Sequence, residues 1–106
     1  MNNWNIPDWL ENEIKNRDKH CVYCGIKLLE KIPDNGSRKV VATWEHIIND
    51  AKIINRNNIA RCCFSCNASK GAKKLTEWIL SNYCKKKNIN EQTVTDVVKR
   101  ALKASV

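Results

Sequence analysis

Glycine and proline are scarce, three and two residues in a chain of 106, which excludes collagen-like and low-complexity polypeptides. Long apolar runs are also lacking. The longest, such as Val40-Val41-Ala42, fall far short of the roughly 20 residues a membrane-spanning helix needs. The first residues carry neither a basic nor an apolar leader region, so a cytoplasmic protein with no membrane partner is expected. Acidic residues are the minority charge, eleven against nineteen Lys and Arg, and the formal net charge of +8 favours a polyanionic partner. The surplus is local: six lysines (Lys70, Lys73, Lys74 and Lys85 to Lys87) face only Glu77 between positions 70 and 87. With 42% hydrophobic and 28% charged residues the composition is globular, and the length suits one domain spanning 1-106.

Cysteine, by contrast, is abundant. Six in a short chain can mean a disulfide scaffold, which needs an oxidising compartment that nothing in the sequence indicates. Their spacing points to a metal: Cys21-Val22-Tyr23-Cys24 and Cys63-Phe64-Ser65-Cys66 are two C-x-x-C knuckles. Each brings two sulfurs to one side of a tight turn, and two knuckles complete a closed four-sulfur zinc site. Redox dithiols are the competing reading of such pairs. Cys62 would break the matching spacing and reads, like Cys84, as a small buried hydrophobe, while His20 reads as an ordinary surface residue.

The apolar spacing of Trp9, Leu10 and Ile14 behind Pro7 predicts a helix over about 7-17. Ile26 to Glu30 reads as a short strand, Pro33 to Gly36 as a turn, and the β-branched run Val40 to Trp44 as the next strand, with Trp44 in the core. Asn49-Asp50 favours a loop, Asn58 to Cys62 a returning strand, and the second knuckle leads into a brief helix that Gly71 closes. Cys63, Asn67 and Lys70 would share one face of it. Over about 73-104, one longer amphipathic helix through Leu75, Trp78, Ile79 and Tyr83 is expected, then a last helix capped by Asn90 and bearing Val94, Val97, Val98, Ala101 and Leu102. Lys85 to Asn90 is a candidate hinge between the two.

Between the knuckles, Glu45 and His46 stand side by side at a predicted strand end. A regular strand sends neighbours to opposite faces, so both can address one phosphate only if the chain leaves strand geometry there. Read alone, Asn58 belongs to a turn, Asn67 is a helix cap, and Lys70 is a solvated lysine.

Taken together, Glu45-His46, Asn58-Ile59-Ala60-Arg61-Cys62-Cys63 and Cys66-Asn67-Ala68-Ser69-Lys70 resemble, in order and spacing, the HNH endonuclease family in its zinc-stapled form. The resemblance covers residues 21-70. It implies a small α+β domain with a ββα-metal centre pinned by the four-Cys zinc site and flanked by helices. It further implies His46 as general base on water, Asn58 as a structural brace, and Glu45 with Asn67 as oxygen ligands of a catalytic Mg²⁺ or Mn²⁺, Asp50 standing in reserve. Lys70, Lys73 and Lys74 would contact the phosphates of double-stranded DNA. A homodimer would serve cleavage of both strands, since one site handles one strand at a time. Glu45 stands where the family usually has Asp, and Asn49 where Pro is frequent. The competing functional reading is a non-catalytic zinc module that binds nucleic acid, and after it a protein-interaction module.

Overall fold

The computed structural model describes residues 5–104. The first helix, α1 (Asp8–Arg17), begins one residue after Pro7, which is extended and caps it from outside. Leu10 and Ile14 on its inner face join Ile6 and Ile59 in a small apolar cluster, against which Trp44 and Ile54 pack. Where α1 ends, Arg17 holds Asp18 by two contacts of 2.7 and 2.8 Å and also donates to the Ile59 carbonyl at 3.0 Å. Asp18, itself buried, accepts from the Arg61 amide at 3.1 Å. The helix is thereby fastened to the centre of the sheet by charge-assisted hydrogen bonds.

That sheet is an antiparallel pair, β1 (Ala42–His46) and β2 (Ile59–Cys63), with Thr43 opposite Cys62, Glu45 opposite Ala60 and His46 opposite Ile59. Alternation along the strands gives it two distinct faces. Trp44, His46, Ile59 and Arg61 belong to the face beside α1; Thr43, Glu45, Ala60 and Cys62 belong to the face that meets the knuckles. Every residue of β2 is buried. Arg61 survives there because its guanidinium lies 5.2 Å from the Trp44 ring centroid and grips Glu30 through two contacts of 2.8 and 2.9 Å.

Three expectations change. β1 starts at Ala42, two residues later than the β-branched run suggests, and continues through His46. The strand expected over Ile26 to Glu30 is only a pair of isolated bridges, His20 with Lys27 and Leu29 with Val41. It lies between two turns, one closed by Gly25 at φ +80° and one in which the Gly36 amide donates to the Pro33 carbonyl at 2.8 Å. The third change concerns the C-terminal helices. α2 (Phe64–Lys70) follows β2 without a linker and stops at Gly71, whose φ of +50° suits a residue without Cβ. The expected long helix then divides into α3 (Leu75–Trp78) and α4 (Asn82–Lys86), because the Ser81 side chain accepts from the Cys84 amide and starts a new helix.

The candidate hinge is a packed turn: Asn88 takes φ +56° and places Ile89 in the core, 2% exposed. Asn90 caps that turn, accepting from the Gln92 amide, and the last helix, α5 (Asp96–Ala104), starts later than expected. Its Val97, Val98 and Ala101 join the main core. At its start, the Thr95 amide donates to the Val22 carbonyl inside the first knuckle at 3.1 Å. The result is a compact α+β domain with a radius of gyration of 13.1 Å, near the value of about 13 Å for a compact fold of 100 residues. No helix among the described residues is long and apolar enough to cross a membrane.

Trp78 ties these parts together. It is 1% exposed, meets Tyr23 edge-on with ring centroids 4.9 Å apart, and donates its indole N–H to the Ser69 hydroxyl at 2.9 Å. Trp78→Ala is expected to lower stability by about 3–5 kcal/mol, measured by denaturant unfolding at saturating zinc.

Candidate functional site

The Sγ atoms of Cys21, Cys24, Cys63 and Cys66 lie within 4.8 Å of one another. A tetrahedral ion with Zn–S bonds of about 2.3 Å would space its sulfurs about 3.8 Å apart. Cys24 and Cys63 are separated by 3.8 Å, so the cluster fits one zinc ion with little rearrangement. The two knuckles are built alike: the Cys24 amide donates to the Cys21 sulfur and the Cys66 amide to the Cys63 sulfur, each at 3.4 Å. Such bonds favour the thiolate. Crowding by the neighbouring thiols, Cys21 foremost, also draws the Cys24 and Cys63 thiols below the ordinary range.

Cys62 and Cys84 are fully buried outside the cluster, and burial pushes both thiols up. They are unreactive packing residues, as their positions suggested. Outside the four ligands, the Tyr83 hydroxyl donates to the Cys66 sulfur at 3.2 Å and lies 2.9 Å from the Ser65 hydroxyl. The composition-based reading missed this contact. A tyrosine at helical spacing looks like core, and only the meeting of α4 with the second knuckle gives its hydroxyl a partner.

On the sheet face beside the knuckles, Glu45 is 5% exposed. Its Oε2 accepts from the Tyr23 hydroxyl at 2.6 Å and lies 3.2 Å from the Lys70 ammonium. Burial raises the Glu45 carboxyl above its ordinary range, while Lys70 and Tyr23 pull it back. Lys70 was expected on a DNA phosphate. Instead it is 1% exposed, engaged with Glu45 and donating to the His46 carbonyl at 3.4 Å, so its charge is directed inward.

Asn67, one turn before Lys70, donates through Nδ2 to the Thr43 hydroxyl at 2.9 Å and to the Trp44 carbonyl at 3.1 Å. Because a carbonyl can only accept, these bonds fix which end of the amide faces β1 and turn Oδ1 away from it. The Ile47 amide bonds across to the Asn58 carbonyl, so alternation directs the Trp44 and His46 carbonyls to the opposite edge of β1. α2 therefore covers that edge with Asn67 and Lys70, immobilising the strand that carries Glu45 and His46.

His46 closes β1 and is 9% exposed. Strand geometry persists through it, so Glu45 and His46 project to opposite faces, and what joins them is Lys70. Burial first, and the Lys70 charge second, hold the His46 imidazole below its ordinary pKa, with Asp50 opposing. It is consequently neutral at pH 7, the form in which a histidine accepts a proton.

Asn58 braces the loop that follows. Its Oδ1 accepts from the Ile48 amide at 2.7 Å, and its Nδ2 donates to the Ile48 and Ile53 carbonyls at 3.2 and 3.1 Å. Just beyond His46, Ile48 and Asn49 form one wall of a cleft of about 510 Å³; Ala72, Lys74, Leu75 and Thr76 form the other. Lys73 and Lys74 are exposed, as are Lys85, Lys86 and Lys87, with Lys87 positioned over the Tyr83 ring.

Compared with protein-family models, curated proteins and solved structures, this chain matches none.

The cluster generates a direct test. Elemental analysis should find one zinc per chain, and Cys24→Ser should lose most of it while Cys62→Ala keeps it. Full zinc content in Cys24→Ser would remove that residue from the ligand set.

Proposed function

We propose that the protein is a divalent-ion-dependent DNA endonuclease of the HNH type, with a structural zinc in its four-sulfur cluster. The observation that carries the reading is the attachment of α2 to β1. Asn67 and Lys70 reach back to residues 43 to 46, so the residues of the resemblance form one strand–strand–helix unit whose base is clamped by the cysteines.

Within this reading, His46 takes a proton from the attacking water as the phosphodiester is hydrolysed to a 5′-phosphate and a 3′-hydroxyl. Its depressed pKa keeps it competent at neutral pH. Glu45 and Asn67 offer carboxylate and amide oxygens, a donor set suited to a hard Mg²⁺ or Mn²⁺. When bound, such an ion supplies charge stabilisation at the phosphate and the leaving oxygen. Asn58 holds the loop that leads away from His46, which keeps the end of β1 in place. Lys73 and Lys74, beside the cleft past His46, supply sequence-independent contacts to the DNA backbone. Lys70 takes no part in DNA contact here and serves to hold Glu45 and the His46 carbonyl.

A second reading, a zinc module that binds nucleic acid without cutting it, is favoured by one observation: the Glu45 carboxylate is already engaged by Lys70 and Tyr23. The two readings part on activity. Purified protein should convert supercoiled plasmid to nicked or linear forms with Mg²⁺ or Mn²⁺ and not with a chelator of these ions. His46→Ala should keep its zinc and most of its DNA affinity yet lose about 10²–10⁴ in cleavage rate. Wild-type protein that cuts with neither ion, or a His46→Ala variant that cuts at the wild-type rate, would shift the assignment to the binding module.

A further inference from the structure

Tyr23 lies in the middle of the first knuckle, between two zinc-ligating sulfurs, and its side chain has no part in holding that metal. The ring is 1% exposed and pressed edge-on against Trp78, a packing role that phenylalanine would fill equally well. The hydroxyl therefore needs its own explanation. It donates at 2.6 Å to Oε2 of a carboxylate 22 residues away in sequence, within the short range of charge-assisted O–H···O⁻ bonds.

We propose that Tyr23 is a positioning residue, which fixes the Glu45 carboxylate for a divalent ion and couples the first zinc knuckle to β1. The proposal rests on the reading of Glu45 as an ion ligand. Both Tyr23 and Lys70 use Oε2, so Oε1 takes part in neither contact and is held in a set direction. A glutamate has one more rotatable bond than the aspartate usual at this position of the family. Two partners on one oxygen remove that added freedom. The Cys21 and Cys24 sulfurs hold the backbone from which Tyr23 projects, and Trp78 limits its ring, so the knuckle sets where the hydroxyl points. Tyr23 was assigned no role from sequence, although a tyrosine between knuckle cysteines raises the question of where its hydroxyl goes.

The test uses the full zinc-loaded chain and Mn²⁺ alone as probe, with free Mn²⁺ followed by electron paramagnetic resonance. Glu45→Gln is expected to lose the Mn²⁺ site. Tyr23→Phe is expected to retain one zinc and a cooperative unfolding transition, yet bind Mn²⁺ about 10–100-fold more weakly, the usual consequence of removing a partner of a metal ligand. Its cleavage rate should fall at limiting Mn²⁺ and recover as Mn²⁺ is raised, a rescue that a purely structural role would not give. Unchanged Mn²⁺ affinity in Tyr23→Phe, alongside loss of the site in Glu45→Gln, would overturn the proposal and leave the ion reading standing. Loss of zinc or of the fold in Tyr23→Phe would make the hydroxyl structural and overturn it as well. Wild-type protein that binds no Mn²⁺, or equal binding by Glu45→Gln, would overturn both.

Discussion

Four cysteine sulfurs drawn to one point are the constraint on which the rest of this structure depends. They join Cys21 and Cys24, which sit in an irregular loop, to Cys63 and Cys66, which end β2 and begin α2. A domain of this size has a limited core, and a metal staple supplies much of what burial cannot. The first knuckle is also a junction: the Val22 amide donates to the Arg61 carbonyl of β2, the Val22 carbonyl accepts from Thr95 ahead of α5, and Tyr23 reaches Glu45. Each of these contacts needs the knuckle in one place.

Held in that way, the fold tolerates an unusual interior. A lysine 1% exposed and a glutamate 5% exposed form an ion pair at 3.2 Å beside a fully buried tyrosine. Removing both charges from water costs several kcal/mol, and their attraction offsets this only when the remaining hydrogen-bonding groups are satisfied. Here the Tyr23 hydroxyl and the His46 carbonyl provide those partners. The arrangement contributes little to net stability compared with an apolar core, and what it does contribute is a unique position for α2 on β1. In the proposed nuclease that position sets the relation between Glu45, Asn67 and the end of the strand.

Much of this was legible in the sequence, and the parts that were not share a physical cause. Paired C-x-x-C spacing is a local rule, so the four-sulfur cluster could be read directly. The same holds for α1, whose apolar residues recur at helical intervals, and for Gly71 as the end of α2. The break between α3 and α4 was hidden because Leu75, Trp78, Ile79 and Tyr83 keep helical spacing across it, and only the Ser81 cap interrupts the backbone. Lys70 was misjudged because a lysine followed by more lysines reads as solvated. Its burial depends on Glu45, 25 positions earlier, which no local pattern reports. Tyr23 and Tyr83 escaped notice for the same reason: each hydroxyl finds its partner through tertiary contact.

The central claim is that the sulfur clamp holds the knuckles, the β1–β2 pair and α2 as one cooperative unit. Amide hydrogen exchange, followed residue by residue while zinc is withdrawn with a chelator, tests it most directly. The account requires the amides of residues 42 to 46 and 59 to 70 to lose protection together, at the same zinc occupancy as those of the first knuckle. Protection that persists in the β1–β2 pair after the knuckles have exchanged would show that the strands stand on their own packing, and would contradict the account.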